Sequence, residues 1–147
     1  MPYVKVWLHL VWSTKNRFPF LNSEIRPQVF EHIRQNAKRK EIFLDFINGY
    51  EEHVHSLVSL GTDQTISDIV RLIKGESSHW INQNRLVRNK FAWQKDYFCV
   101  GVCESLIDRT RNYIRNQEDH HRRKGFNEEF ELMLRRYGFQ RFEDNYD

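Results

Sequence analysis

The sequence predicts an α+β protein with a ferredoxin-like split βαβ design: a four-stranded antiparallel sheet, two helices between its strands, and a C-terminal helix that carries Tyr113. Three observations predict it. Alternating and amphipathic segments follow one another as strand, helix, strand, strand, helix, strand, helix. Gly49 separates the second and third strands closely enough for a hairpin. The 147 residues contain no internal repeat and no linker, so residues 1–147 are expected to form one domain, with 122–147 as a helical tail.

Between Tyr3 and Trp12, Val4, Val6, Leu8 and Leu10 alternate with Lys5, Trp7 and His9, the period of a strand buried on one face. A basic turn follows, Ser13 to Phe20, with Lys15, Arg17 and Pro19. Asn22 or Ser23 is expected to cap a helix that runs to about Lys40 on the stripe Ile25, Val29, Phe30 and Ile33. The second strand spans Ile42 to Asn48, and the third carries His53-Val54-His55 and ends at Gly61. Ser67 is the expected cap of a helix with Ile69, Val70 and Ile73 on its apolar face, extending toward Ile81. Phe91 to Val102 supplies the fourth strand, and Ser105 is expected to cap the helix holding Tyr113 and Gln117. In the tail, Phe126, Phe130, Leu132, Met133, Leu134 and Tyr137 suffice for a short amphipathic helix that Gly138 ends, and the last five residues are expected to fray.

No signal peptide or long apolar run is read in the chain, which predicts a soluble, cytoplasmic protein. Cys99 and Cys103 fall in a strand, where four residues span about 13 Å, too far for a disulfide, so both are expected as free thiols. A net charge of +3 with 14% aromatic residues is compatible with a nucleic-acid partner without requiring one.

The chemistry concentrates in two places. In a strand, His53 and His55 project from one face while Val54 and Val58 project from the other, so a metal can sit between the imidazoles. Chance alternation on a wet face gives the same pattern. Tyr113 and Gln117, four apart, share a helix face, although Ile107, Thr110 and Ile114 would equally suit a buried tyrosine.

These segments, with His9-Leu10-Val11-Trp12-Ser13-Thr14-Lys15, Ile69-Val70-Arg71-Leu72-Ile73-Lys74-Gly75 and Trp93-Gln94, resemble the single-tyrosine HUH transposases of small bacterial insertion sequences, in order and over nearly the whole chain. The tail His120-His121-Arg122-Arg123-Lys124-Gly125-Phe126 resembles one branch of that family. Two departures stand out: Glu52 occupies a position commonly aspartate, and Ser56 one that is often apolar.

The resemblance implies that His53, His55 and Gln117 hold one divalent ion, Mg2+ or Mn2+, and that Tyr113 is the nucleophile. Two neutral imidazoles and an amide oxygen add no negative charge, so phosphate oxygens can join such an ion without repulsion. A tyrosine hydroxyl, with pKa near 10, needs a nearby cation to act as a nucleophile at neutral pH. It further implies transesterification through a 5′-phosphotyrosine link to single-stranded DNA, hairpins at the element's ends, and a homodimer that exchanges tyrosine helices. Lys15, Arg17, Arg71 and Lys74 are the candidate phosphate contacts, and Trp80, Trp93 and Tyr97 are candidates for base stacking, each with solvated charge or core packing as its ordinary role. His120 and His121 read first as a solvated helix end, with a direct contact of one of them to the metal or to phosphate as the alternative, and His9 as a neighbour of the histidine strand that supports its ligands or touches DNA. Other readings are a domesticated nickase acting on palindromic repeats, a non-catalytic nucleic-acid-binding module, and a structural metal protein. The last is disfavoured because a closed zinc site usually takes four strong ligands.

Overall fold

In a computed structural model that describes residues 2–139, the sheet has the strand order β2-β3-β1-β4, with every neighbouring pair antiparallel. Its strands are β1 (Trp7–Ser13), β2 (Phe43–Gly49), β3 (His53–Ser59) and β4 (Phe98–Val102). The helices are α1 (Arg26–Arg39), α2 (Ile66–Gln83), α3 (Ile107–Arg115), α4 (Gln117–His121) and α5 (Phe126–Arg136). Order and topology are those of the ferredoxin-like α+β sheet.

The sheet separates two layers. Leu8, Leu10 and Trp12 of β1 and Val54 and Val58 of β3 pack with Val29, Phe30 and Ile33 of α1 and Ile69, Ile73 and Ile81 of α2 in the main core. On the other face Trp7 and Leu57 meet Ile107 and Ile114 of α3, while Val11 and Phe98 meet Phe126 and Met133 of α5. His53 and His55 share the parity of Leu57, so β3 turns them toward α3 to α5.

Several boundaries differ from the sequence expectation, some through local capping and some through contacts distant in sequence. The first strand begins at Trp7 rather than Tyr3 and is buried on both faces, because β3 and β4 flank it and helices cover both sides. β2 is shifted by one residue, ending on Gly49. Asn22 does not cap α1 directly; its Oδ1 accepts from the amides of Glu24 and Ile25, forming a turn that delivers Pro27 into the first helical turn. Thr65, not Ser67, caps α2, accepting from the Asp68 amide. β4 begins at Phe98 instead of Phe91, since Phe91 and Trp93 are drawn into the main core and only Trp93 bridges, to Thr14. Ser105 lies inside a 3-10 turn, Glu104–Leu106, and makes no cap. The tail helix forms and is followed by Gly138 at φ 70°, a left-handed conformation that suits glycine. The expected fraying of the last five residues falls outside the described residues.

Cys99 and Cys103 are free, Cys99 half-buried and Cys103 exposed. Burial pushes the Cys99 thiol up to about 11. With a thiol-reactive chromogen at neutral pH, Cys103 is therefore expected to be modified first and Cys99 much more slowly, each read by mass spectrometry. Equal rates would show that β4 does not shield its thiol.

Candidate active site

β3 supplies the two imidazoles, and neither His53 nor His55 retains any exposed surface. Each is held from behind. His53 Nδ1 lies 2.7 Å from Glu52 Oε1, and His55 Nδ1 lies 2.9 Å from His9 Nε2 on the paired strand. Burial alone would raise the Glu52 carboxyl, but its hydrogen bond with His53 and the charges of His53 and His121 hold it below the usual range. A carboxylate only accepts, so Nδ1 of His53 carries the proton and Nε2 is left with a lone pair. Burial pushes His55 down to about 4, against the opposing pull of Glu129, and burial with the neighbouring His55 pushes His9 down to about 3. His55 and His9 are thus neutral at ordinary pH, and a neutral imidazole is the form of His55 that can ligate a metal.

α3 is docked on the sheet edge by polar contacts that spacing alone does not reveal. Arg111 forks onto both oxygens of Asp45 in β2, at 2.7 and 2.8 Å. Asn48 Nδ2 donates to the carbonyls of Ile114 and Arg115, both at 3.0 Å. With those carbonyls occupied, α3 stops at Arg115, and Asn116 separates it from α4. The single helix expected through Gln117 is therefore two. Tyr113 and Gln117 nevertheless stay together, Gln117 Nε2 donating to the Tyr113 carbonyl at 3.3 Å.

Gln117 is fully buried, and its Oε1 faces His53 Nε2 at 3.0 Å and His121 Nε2 at 3.1 Å. The half-buried Tyr113 ring stands 5.6 Å from the His55 ring. Its phenol is raised above the ordinary value, first by burial and then by the negative charge of Glu129, while Gln117 pulls the other way. The structure thus brings together Tyr113, His53, His55 and Gln117.

Two further residues complete this cluster, one that the sequence offered only as an alternative and one that it did not single out. His121 is no solvated helix end: its side chain is 2% exposed and turned inward, because the break at Asn116 rotates α4 against the sheet, while His120 remains about one-third exposed. Glu129, on α5, is also 2% exposed, with Oε1 2.7 Å from His55 Nε2 and Oε2 2.9 Å from Nε2 of both His120 and His121. A signal existed. Glu129 falls on the same stripe as Phe126, Phe130 and Met133, and a charge inside an apolar stripe marks either a partnered ion or a site.

The residues fit a divalent ion. His53 Nε2 and Gln117 Oε1 are two lone-pair donors aimed at each other, an arrangement that a cation between them resolves. Two ligands about 2.1 Å from an ion and at right angles to each other lie about 3 Å apart, close to the spacing here. One oxygen of Glu129 and Nε2 of His120 have no hydrogen-bond partner despite burial.

The basic candidates divide. Lys15 and Arg17 sit exposed in a 3-10 turn directly after β1, and the Arg17 guanidinium lies 5.0 Å from the Phe126 ring centroid. Lys74 is half-buried and donates to the carbonyls of Gln94 and Lys95, so part of its donor capacity anchors the loop. Arg71 is exposed and pairs with Asp68 at 3.4 Å. Among the stacking candidates, Trp93 is core and gives its Nε1 proton to Ser77, Trp80 stacks on His32, and Tyr97 is exposed. Beside the turn, Ser13, Asn16, Arg17, Gln94, Tyr97 and Phe130 line part of a groove.

A family model described as Transposase IS200 like matches residues 2–117. The chain belongs to that family. ISDra2 transposase TnpA of Deinococcus radiodurans is 26% identical over 116 residues, covering 76% of this chain and 83% of that protein. A crystal structure from Deinococcus radiodurans R1, described as that of a candidate transposase, superposes with a TM-score of 0.64 at 25% identity over 80% of this chain and 95% of that one. A REP-associated tyrosine transposase, solved with a REP hairpin, superposes with a TM-score of 0.62 at 17% identity over 82% of this chain and 72% of its own, and shows the shared fold. In this IS200-like transposase α5 and Glu129 lie beyond the region the family model matches.

Proposed function

We propose that this IS200-like transposase cuts and rejoins single-stranded DNA by transesterification, with Tyr113 as nucleophile and His53, His55 and Gln117 holding one divalent ion, Mg2+ or Mn2+. The observation that carries the reading is the buried, opposed pair of lone pairs on His53 and Gln117, 3.0 Å apart, with His55 two residues along β3 from His53 on the same face. When bound, the ion supplies Lewis-acid polarisation of a phosphate and stabilises a nearby phenolate.

The chain's own groups do the rest. Glu52 fixes the proton of His53 on Nδ1, and His9 orients His55. Asp45 and Asn48 hold α3 so that Tyr113 stays beside the imidazoles. Attack by the Tyr113 oxygen forms a bond to phosphorus as the bond to the 3′ oxygen breaks; the phenol loses its proton and the leaving 3′ oxygen gains one. The bond energy is kept in the phosphotyrosine, so a second 3′-hydroxyl can reverse the step without a nucleoside triphosphate.

The substrate in this reading is DNA able to form a hairpin, the kind of ligand held by the REP-associated structural neighbour. Lys15 and Arg17 are the best-placed phosphate contacts, with Arg71 and the partly engaged Lys74 on the α2 side. A homodimer as the acting form, residues 1–147 as one domain, and a cytoplasmic location complete the proposal. Among the described residues no helix is long and apolar enough to cross a membrane.

The test is incubation with labelled single-stranded DNA from the flanks of its own locus, followed by denaturing electrophoresis. A covalent adduct is expected with Mg2+ or Mn2+ and is expected to vanish with chelator. Tight binding without any adduct would transfer the assignment to a non-catalytic binding module.

A further inference from the structure

We infer that Glu129, brought in by α5, is a fourth protein ligand of the divalent ion held by His53, His55 and Gln117, an inference that rests on the function proposed above. Nothing in the matched region supplies this group, because that region ends at residue 117.

The placement of the carboxylate is the first argument. At 2% exposure Glu129 is cut off from water, and a buried carboxylate is retained only where cations or several donors compensate it. Its Oε1 lies 2.7 Å from His55 Nε2 and 3.7 Å from His53 Nε2, so it faces the same point as the two imidazoles. The second argument is what the protein alone fails to satisfy. Oε2 has two imidazole nitrogens at 2.9 Å, yet neither is aligned to donate a hydrogen bond to it. Four histidines and the Tyr113 phenol crowd one carboxylate, one oxygen of which still lacks a well-aligned donor, as expected for a donor set arranged around an ion.

The proton arrangement agrees. His55 and His9 share a single contact at 2.9 Å between Nδ1 and Nε2. In the metal-free protein His55 Nε2 donates to Glu129 and its Nδ1 accepts from His9. Moving the His55 proton from Nε2 to Nδ1, with the His9 proton passing from Nε2 to Nδ1 so that His9 Nε2 becomes the acceptor, frees His55 Nε2 for the ion and leaves Glu129 Oε1 free to bind it as well. No ionisation is needed, only a change of tautomer. The resulting set of two imidazoles, one amide oxygen and one carboxylate leaves positions open on a six-coordinate ion and lowers its effective charge by one. The ion would then be held before DNA arrives.

The decisive experiment is calorimetric titration of chelator-stripped protein with Mn2+ alone, comparing wild type with Glu129→Gln, His55→Ala and, as an exposed control on the same helix, Glu128→Gln. The expected result is one Mn2+ per chain, at least about tenfold weaker binding for Glu129→Gln, and no change for Glu128→Gln. If Glu129→Gln binds like wild type while His55→Ala does not, the inference falls and the proposed site stands. If folded wild type binds no Mn2+, both fall. Melting curves in chelator report whether Glu129→Gln is folded. Should it not be, anomalous scattering from wild-type crystals soaked in Mn2+ decides: an ion within about 2–2.5 Å of a Glu129 oxygen supports the inference, and an ion bound without that contact overturns it.

Discussion

Tyr113→Phe is expected to abolish the covalent protein–DNA adduct and strand transfer, a loss on the order of a thousandfold or more, while leaving DNA binding close to wild type. The substitution removes one oxygen and keeps the ring, so the edge contacts of the Tyr113 ring with His9, His55 and His120, at 6.2, 5.6 and 5.6 Å, persist. The docking of α3 through Asp45 and Asn48 does not involve the hydroxyl. Thermal stability should therefore change little, falling by no more than the loss of the hydrogen bond between the phenol and the buried Glu129 carboxylate. Denaturing electrophoresis reads the adduct and a native mobility shift reads binding. An adduct that persists in the phenylalanine variant would move the nucleophile to another residue.

Gly49→Ala is expected to destabilise the protein by about 2–3 kcal/mol, lowering the melting temperature by roughly 4–12 °C, and to weaken the site at the same time. A Cβ at this position would lie 2.2 Å from the His53 carbonyl oxygen and 3.0 Å from Val54 Cα. Both atoms are backbone, so no side chain can swing away; the turn between β2 and β3 must open. The Tyr50 amide, which donates to that same carbonyl at 3.0 Å, would lose its partner as His53 shifts. Circular dichroism melting reads the stability. A variant that melts with wild type would mean that the hairpin accommodates the methyl group by a route these contacts do not suggest.

Gly49 illustrates how sequence and structure divide the information. Its punctuation between two strands marked the hairpin, and the alternation of His53 and His55 placed both on one face, because strand parity is a local property. The same holds for the apolar stripes of α1 and α2 and for the order that led to the ferredoxin-like sheet. What local pattern does not carry is who meets whom across the sheet. Asn48 ends α3 from 66 residues away, which is why one helix was expected where there are two. Glu129 reaches His55 across 74 residues, because Phe126 and Met133 dock α5 on Val11 and Phe98. His121 read as a solvated end for the same reason: its burial depends on a helix break and on a helix that follows it. Lys74 looked available for phosphate, but the loop from Gln94 folds back onto it.

The division of the sheet into two layers carries an evolutionary consequence. The large apolar cluster lies wholly on the α1 and α2 face, whereas the histidines, Gln117 and Glu129 share the opposite face with two smaller clusters. Buried polar groups contribute little net stability, and well-packed apolar replacements can be neutral or better. Descendants of such a chain can therefore lose the polar cluster as a unit and keep the scaffold and whatever it grips, whereas losing its histidines singly leaves the buried Glu129 carboxylate uncompensated. Loss of chemistry and loss of fold are thus separable events, and an inactive relative need not be a misfolded one.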